Sequence, residues 1–242
     1  MPESILLVLL CFGVALLYAA VGHGGASGYL AVMTLLSVAP ESLRPTALAL
    51  NVGVSLLGTI TFFRAGSFRG SLFWPLALCA LPAAYFGGGL SLDHGIYRRL
   101  LGLILFFGFI RLVWSVQKAG AEQVPSRFLL LITGVWMGFL SGLIGVGGGI
   151  FLTPLAIFLG WAKPREAAAL SAPFIFLNSL AGLAGLEWTN HTLHNDFLWL
   201  IGVVLVAGWI GSYWGSHLAN SRQIRFVLGC VLALASAKLL FS

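Results

Sequence analysis

The feature that most constrains this chain is the length of its segments that lack Asp, Glu, Lys and Arg. About 20 apolar residues cross a bilayer as a helix, and six of the runs are close to that length. Charged residues make up only 8% of the chain, whereas soluble domains carry about 25%. We therefore predict an all-α polytopic membrane protein. Its hydrophobic, almost charge-free segments, about eight in number, are residues 5–36, 45–63, 72–92, 100–116, 128–162, 167–186, 197–217 and 226–240.

Two of these runs, 5–36 and 128–162, are too long for one crossing and too short for two crossings with a turn. Each has a glycine cluster near its middle, GHGGASG at 22–28 and GVGGG at 145–149. Glycine weakens helices, so we expect both runs to be broken there. Close helix packing through small residues four apart is the alternative, and whether each run crosses once or folds back is left open.

The two long runs begin two similar halves. Gly22, His23, Gly24 and Gly25 align with residues 145–148 at an offset of 123, and later positions align at 124, such as Ser55 with Ser179. An ordered series of this kind predicts an internal duplication. The predicted repeats are residues 1–116 and 128–242, joined by a polar connection at 117–127. If the long runs fold back, each half crosses three times and the repeats are inverted, as in many secondary transporters.

The charge pattern excludes several classes of protein. The 13 Lys and Arg residues are scattered between apolar runs, which is typical of contacts with lipid headgroups and not of a nucleic-acid surface. The chain has no Walker A motif and no nucleophile–base constellation, so we expect neither ATP-driven transport nor an enzyme. The three cysteines show no metal-binding spacing, and we expect no metal and no cofactor.

The glycine clusters predict where a ligand would bind. Irregular backbone at membrane depth persists only where protein buries it or a water-filled cavity receives it. A break leaves N–H groups at the start of the following helix, and such a terminus favours an anion. The backbone groups expected to bind the ligand are those of Gly22, Gly24, Gly25, Gly145, Gly147, Gly148 and Gly149.

Neutral polar side chains near the breaks complete the predicted site. Asn51 and Ser55 are four residues apart and share a helix face, and Ser171 and Asn178 lie on the equivalent helix of the second half. Thr153 follows the second glycine cluster. Hydrogen bonding between helices without a ligand is the alternative for these side chains.

Two ionisable side chains in apolar runs remain open. His23 interrupts the first glycine cluster and could titrate, donate to an anion or fill a local hydrogen bond. Arg111 lies within the run 100–116, where snorkelling to the headgroups explains it without a function.

The sequence resembles the TauE/SafE family of sulfite and organosulfonate exporters over nearly its whole length. The segments SGLIGVGGGIFLTPLAIFLGW and PREAAALSAPFIFLNSLAG carry the resemblance, together with AAVGHGGASGYLAVMTLL and RPTALALNVGVSLLG. It implies a multi-pass permease of the inner membrane that moves small sulfur oxyanions, in the outward direction.

We therefore expect a secondary transporter that exports sulfite or organosulfonates by alternating access. An anion channel and a membrane-embedded structural subunit of a larger complex are the alternatives. The expected partners are the small sulfur oxyanion and the lipid bilayer, and a homodimer is left open as the assembly. The sequence does not determine the anion, the coupling ion or the orientation in the membrane.

Overall fold

Apolar helices make up the computed structural model of the chain. It describes residues 2–90, 124–187 and 192–220, together with isolated positions in 91–123 and 221–242. The described helices are α1 (Pro2–Ala20), α2 (Ala26–Leu35), α3 (Pro40–Arg64), α4 (Gly70–Gly88), α5 (Arg127–Ile144), α6 (Gly149–Phe158), α7 (Pro164–Gly185) and α8 (Phe197–Tyr213), the last continued by a π-helical turn (Trp214–Leu218). Most of the predicted runs 100–116 and 226–240, including Arg111, and most of the connection 117–127 lie outside the described residues.

Five of the described helices are long and apolar enough to cross a membrane, namely α3, α4, α5, α7 and α8 with its π-helical turn. Their outer surfaces are apolar, since Phe63 is 62% exposed and Leu198 is 81% exposed. The polar side chains face the opposite way, and Asn51 has no exposed surface. An apolar exterior around a polar interior is the arrangement that a bilayer requires, so the prediction of an all-α polytopic membrane protein is confirmed.

The first long run is broken and folds back. α1 ends at Ala20, α2 begins at Ala26, and the glycine cluster lies between them. Gly28 of α2 packs against Val14 and Tyr18 of α1, and the Ser27 hydroxyl donates to the Tyr18 hydroxyl at 3.0 Å. Since the chain also turns from α2 into α3 within four residues, α2 returns towards the side from which α1 started.

The second long run has the same form. α5 ends at Ile144 and α6 begins at Gly149. Gly149 lies against Ile175 of α7, whereas Thr153 contacts Ser171, one turn earlier in α7. α6 therefore runs antiparallel to α7. α4 runs parallel to both α5 and α7, so α5 and α7 are parallel to each other. α6 therefore also turns back against α5.

Contacts along the helices give their directions. We call the side on which α3 begins the Pro40 face and the side on which it ends the Arg64 face. α7 is antiparallel to α3, because Gly58 lies beside Ala172 and Gly182 beside Leu48. α8 is parallel to α3, as the bond from Ser212 to Thr61 shows at the Arg64 face.

The two broken helices begin on opposite faces. Gly211 of α8 and Gly215 of its π-helical turn approach Leu16 and Ala20 of α1, so α1 runs parallel to α8 and begins at the Pro40 face. α5 runs parallel to α4, which starts just after Arg64, so α5 begins at the Arg64 face. The fold-back that the sequence left open is thus present in both runs.

Small residues bring helices of the two halves into close contact. Gly134, Gly138 and Gly142 of α5 face the backbone of Leu76, Ala80 and Ala84 in α4. A Cβ atom on Gly138 would lie 2.5 Å from the Cα atom of Ala80, which no real contact permits. Close packing, the alternative explanation for the glycines, therefore holds for 134–142, while the break begins at Gly145.

Candidate binding site at the glycine breaks

Glycines with positive φ angles stop and restart the helix in each break. In the first break these are Gly22 (φ 75°) and Gly25 (φ 102°), and in the second they are Gly145 (φ 79°) and Gly148 (φ 80°), with Gly147 (φ 75°) between them. Residues with a Cβ atom rarely adopt this conformation. Two of the pairs aligned at an offset of 123, Gly22 with Gly145 and Gly25 with Gly148, thus share a positive φ angle.

Asn51 of α3 joins the two breaks. Its Oδ1 atom accepts a hydrogen bond from the Ala26 N–H group at 3.1 Å, the first N–H group of α2. Its Nδ2 atom donates to the hydroxyl of Ser179 in α7 at 2.8 Å. Gly24 and Gly147 both lie so close to this amide that a Cβ atom on either would overlap it. Asn51 therefore connects the first break, the second break and α7.

A second group of polar side chains connects His23 to α6 and α7. The His23 Nε2 atom lies 2.8 Å from the Thr153 hydroxyl, which in turn lies 2.6 Å from the Ser171 hydroxyl. All three side chains are buried. The structure thus brings together three residues that the sequence placed in the predicted site from three separate segments.

Buried side-chain atoms without a hydrogen-bond partner within the described part of the chain include the Ser141 hydroxyl, His23 Nδ1 and Asn178 Oδ1. Ser141 lies beside the second break, since a Cβ atom on Gly148 would be 3.4 Å from its hydroxyl oxygen. An unpaired buried polar group destabilises a fold by about 1–3 kcal/mol. The region around Gly148 therefore offers hydrogen-bonding capacity that a polar ligand can use.

Ser55 and Asn178 are turned towards their own helices. The Ser55 hydroxyl donates to the Asn51 carbonyl at 2.5 Å, and the Asn178 Nδ2 atom donates to the Phe174 carbonyl at 2.8 Å. Neither side chain is hydrogen-bonded to a glycine break within the described residues. Their predicted role in ligand binding stays a prediction.

The two breaks differ at one pair of equivalent positions. Gly22 packs against the backbone of Ala168, and Gly145 packs against the side chain of Arg44, which aligns with Ala168 at an offset of 124. The Arg44 guanidinium donates to the carbonyls of Gly88 at 2.9 Å, Leu90 at 3.0 Å and Gly87 at 3.2 Å, and also to that of Gly142. It therefore holds the ends of α4 and α5 together at the Pro40 face.

Arg44, Ser179 and Tyr29 were not among the predicted site residues. Arg44 has the pattern of an ordinary flanking charge before the run 45–63, and Ser179 lies on the same helix as Ser171 and Asn178 but was not included in the predicted site. The Tyr29 hydroxyl donates to the Gly24 carbonyl at 2.8 Å. The available sequence signal for Arg44 was the alignment of the two halves, in which Arg44 pairs with an alanine.

Among the described residues, no three His, Cys, Asp or Glu side chains are grouped as a metal site would require.

The chain has apolar helices that cross the membrane, and two broken helices meet at a buried polar centre. This arrangement is that of a multi-pass membrane protein of the transporter class. The comparisons agree. The model of the family "Sulfite exporter TauE/SafE" matches residues 7–239. The chain belongs to this family of membrane transporters.

Similar proteins include the "Probable membrane transporter protein y4hK" of Sinorhizobium fredii, 37% identical over 99% of both chains. A "Probable membrane transporter protein" of Methanocaldococcus jannaschii is 31% identical over 83% of this chain and 78% of its own. The "Sulfite exporter TauE/SafE family protein 1" of Arabidopsis thaliana is 23% identical over 77% of this chain and 44% of its own. No solved structure matches the chain.

Proposed function

We propose that the protein is a secondary transporter that exports small sulfur oxyanions, sulfite or organosulfonates, by alternating access. The observation that carries the proposal is the meeting of the two breaks. The starts of α2 and α6 both lie beside the Asn51 amide, and α6 also carries the Thr153 hydroxyl that His23 contacts. The family name supports sulfur oxyanions as the class of substrate.

The chemistry of this centre fits an anion better than a cation. The start of a helix carries partial positive charge and exposes N–H donors. The side chains around it are hydroxyls, an amide and an imidazole, which can donate hydrogen bonds without placing a permanent charge in the membrane. A cation site at this depth would instead use carboxylates or carbonyl groups, and none of the side chains that meet here is a carboxylate.

The start of α6 is the more favourable end for the anion. At the start of α2, Asn51 already accepts the first N–H group. In the second half the aligned residue is Ile175, which packs against Gly149 and has no acceptor atom. An oxyanion beside Gly147, Gly148 and Gly149 would accept from their N–H groups and reach the Ser141 hydroxyl. The other predicted residues, Gly22, His23, Gly24, Gly25, Asn51, Ser55, Gly145, Thr153, Ser171 and Asn178, would shape this site or line the path to it.

Alternating access is supported by the opposite directions of the broken helices. α1 begins at the Pro40 face and α5 at the Arg64 face, and each returns to its own side. We propose that repeats 1–116 and 128–242 are therefore inverted, which allows one fixed site to face each side in turn. Export of an anion from a cell that is negative inside is favoured by about 2.3 kcal/mol per charge per 100 mV.

Counterflow in proteoliposomes tests this function. Vesicles loaded with unlabelled sulfite should accumulate radiolabelled sulfite above its outside concentration for a time, because a carrier exchanges anions across the membrane. The same assay with sulfate, thiosulfate and organosulfonates gives the range of substrates. Conductance without counterflow would identify a channel instead, and the absence of both would leave a structural subunit.

A further inference from the structure

A basic cleft lies at the Arg64 face, away from the glycine breaks. It has a volume of about 490 Å³ and lies between the first turn of α7, the turn after α3 and the end of α8. We call it the basic cleft. Its lining residues are Ser67, Lys163, Arg165, Glu166, Leu218, Ala219 and Asn220.

The charges of the basic cleft favour an anion. Lys163 is exposed at its rim, and Arg165 is tied to the wall by a bond to the Ala219 carbonyl. The carboxylate of Glu166 accepts from the Lys163 N–H group at 2.9 Å and pairs with Arg69 at 3.5 Å. The lining of the cleft thus holds two basic side chains, Lys163 and Arg165, and one acidic side chain, Glu166, whose carboxylate already has two donors.

The basic cleft lies close to the first break. Ala168, whose backbone Gly22 touches, is one turn beyond Arg165 in α7, a rise of about 5 Å. Ala168 and Ala169 pack with Phe62 in a small, fully buried apolar cluster. This cluster separates the charged surface from the polar centre. At the opposite face the equivalent position is occupied by Arg44, whose guanidinium is bonded to the ends of two helices.

The described charges also assign the basic cleft to one side of the membrane. Together with the acidic Glu166, the Arg64 face carries six basic residues in the described chain: Arg64, Arg69, Arg127, Lys163, Arg165 and Arg222. The Pro40 face carries Arg44 with the acidic residues Glu41, Glu187 and Asp196. An excess of Lys and Arg marks the cytoplasmic side of membrane proteins. The Arg64 face is therefore the cytoplasmic face.

We propose that the basic cleft is a cytoplasmic capture site for the transported oxyanion, distinct from the site at the breaks. This inference rests on the proposed function. At about 30 Å³ per water molecule, the cleft has room for an oxyanion with much of its hydration shell. It would hold the anion by charge before dehydration and passage beyond the Phe62 cluster. Focused positive charge at a mouth raises the local concentration of anions and the rate of their capture.

Vesicles of known sidedness test the proposal. Uptake of radiolabelled sulfite is measured in inside-out vesicles, which expose the cytoplasmic face, for the wild type, Lys163→Gln and Arg64→Gln. Both substitutions remove one exposed positive charge from the same face, but Arg64 does not line the cleft. We expect Lys163→Gln to raise the apparent KM about three- to tenfold at low salt with the maximal rate kept, and Arg64→Gln to change it less than about twofold.

Other outcomes would overturn the capture site. Equal KM values for both variants would mean that only general surface charge acts, and an unchanged KM for Lys163→Gln would exclude any role for the cleft. A Lys163 effect confined to right-side-out vesicles would contradict the assigned side. The KM of Lys163→Gln is also compared in phosphatidylcholine proteoliposomes with and without cardiolipin. A change in KM that occurs only with cardiolipin would assign the cleft to a lipid phosphate. Wild-type protein that moves no anion of the panel would overturn the proposed function and the cleft together, whereas the other failures leave wild-type uptake intact.

Discussion

At the scale of single residues, the centre of the molecule depends on a few buried polar side chains. Asn51 was predicted as a site residue because an amide in a membrane helix needs partners, and the structure supplies Ala26 and Ser179. Ser179 itself was not predicted as a site residue, because serine is common in membrane helices and only the tertiary contact distinguishes it. Sequence can identify a residue that needs a partner, but the partner is determined by the fold.

Replacing Asn51 should weaken both the fold and transport. Asn51→Ala leaves the Ala26 N–H group and the Ser179 hydroxyl buried without their partner, which should lower the free energy of unfolding by about 1–3 kcal/mol. Thr59→Ala is the matched control in the same helix, since its hydroxyl bonds to the Ser55 carbonyl of α3 and Thr59 is not part of the predicted site. Thermal unfolding in detergent and sulfite uptake measure the two effects. Similar losses for both variants would contradict a special role for Asn51.

Thr153→Val tests the His23–Thr153–Ser171 group. The substitution keeps the shape of the side chain and removes the hydroxyl that contacts both neighbours. We expect sulfite affinity to fall at least about tenfold, the equivalent of losing about 1.4 kcal/mol. Thr133→Val removes a hydroxyl that bonds to its own helix on an exposed surface and should leave the affinity unchanged. Wild-type affinity in Thr153→Val would exclude this group from the binding site.

At the scale of helices, glycine has two separate roles that sequence alone could not distinguish. From 134 to 142 it allows α5 to touch the backbone of α4, and from 145 to 148 it ends one helix and begins another. The abnormal length of the run predicted the break, and the spacing of small residues predicted the packing. The position at which one role gives way to the other depends on positive φ angles, which no spacing rule specifies.

Glycine-to-alanine substitutions at two helical positions test the packing role of glycine. Gly138→Ala places a Cβ atom against the backbone of Ala80, whereas Gly202→Ala in α8 meets nothing within 4 Å. Alanine favours a helix over glycine by about 1 kcal/mol at both positions. We therefore expect Gly202→Ala to be as stable as the wild type or more stable, and Gly138→Ala to be destabilised. Chemical or thermal unfolding of the purified variants measures this. Equal stability would show that α4 and α5 are not in close contact.

At the scale of the whole molecule, each of the two predicted repeats contains a broken helix, but the residues packed against the two breaks differ in charge. At the equivalent positions, Arg44 bonds the ends of two helices at the Pro40 face, whereas Ala168 lies in a small buried apolar cluster towards the Arg64 face. The order of the helices and both breaks could be predicted from the sequence, because they follow from apolar lengths and glycine spacing. The bonds of Arg44 could not, because its acceptors Gly87, Gly88, Leu90 and Gly142 come from distant parts of the chain.

Arg44 should control how the Pro40 face opens. Arg44→Gln removes a guanidinium that joins the ends of α4 and α5, so the protein should unfold at lower temperature and the Pro40 face should open more readily. Leu43→Cys, beside Arg44 in α3, gives a reporter whose labelling rate by a membrane-impermeant thiol reagent should rise in the Arg44→Gln background. Arg127→Gln, an exposed arginine at the start of α5, is the control and should leave the rate unchanged. An unchanged rate in Arg44→Gln would show that these bonds do not close that face.

Thermal stabilisation by sulfite tests most directly whether the second glycine break holds the anion. Gly148 and Gly160 both have positive φ angles, of 80° and 69°, but a Cβ atom on Gly148 would lie 2.9 Å from Phe174 and 3.2 Å from the Ser141 Cβ atom, while Gly160 has open space. Alanine at either position brings the same backbone strain. A ligand that binds the folded state raises its melting temperature. We predict that sulfite stabilises the wild type and Gly160→Ala equally and leaves Gly148→Ala unaffected. Equal stabilisation of Gly148→Ala, or no stabilisation of the wild type by any sulfur oxyanion, would contradict the account.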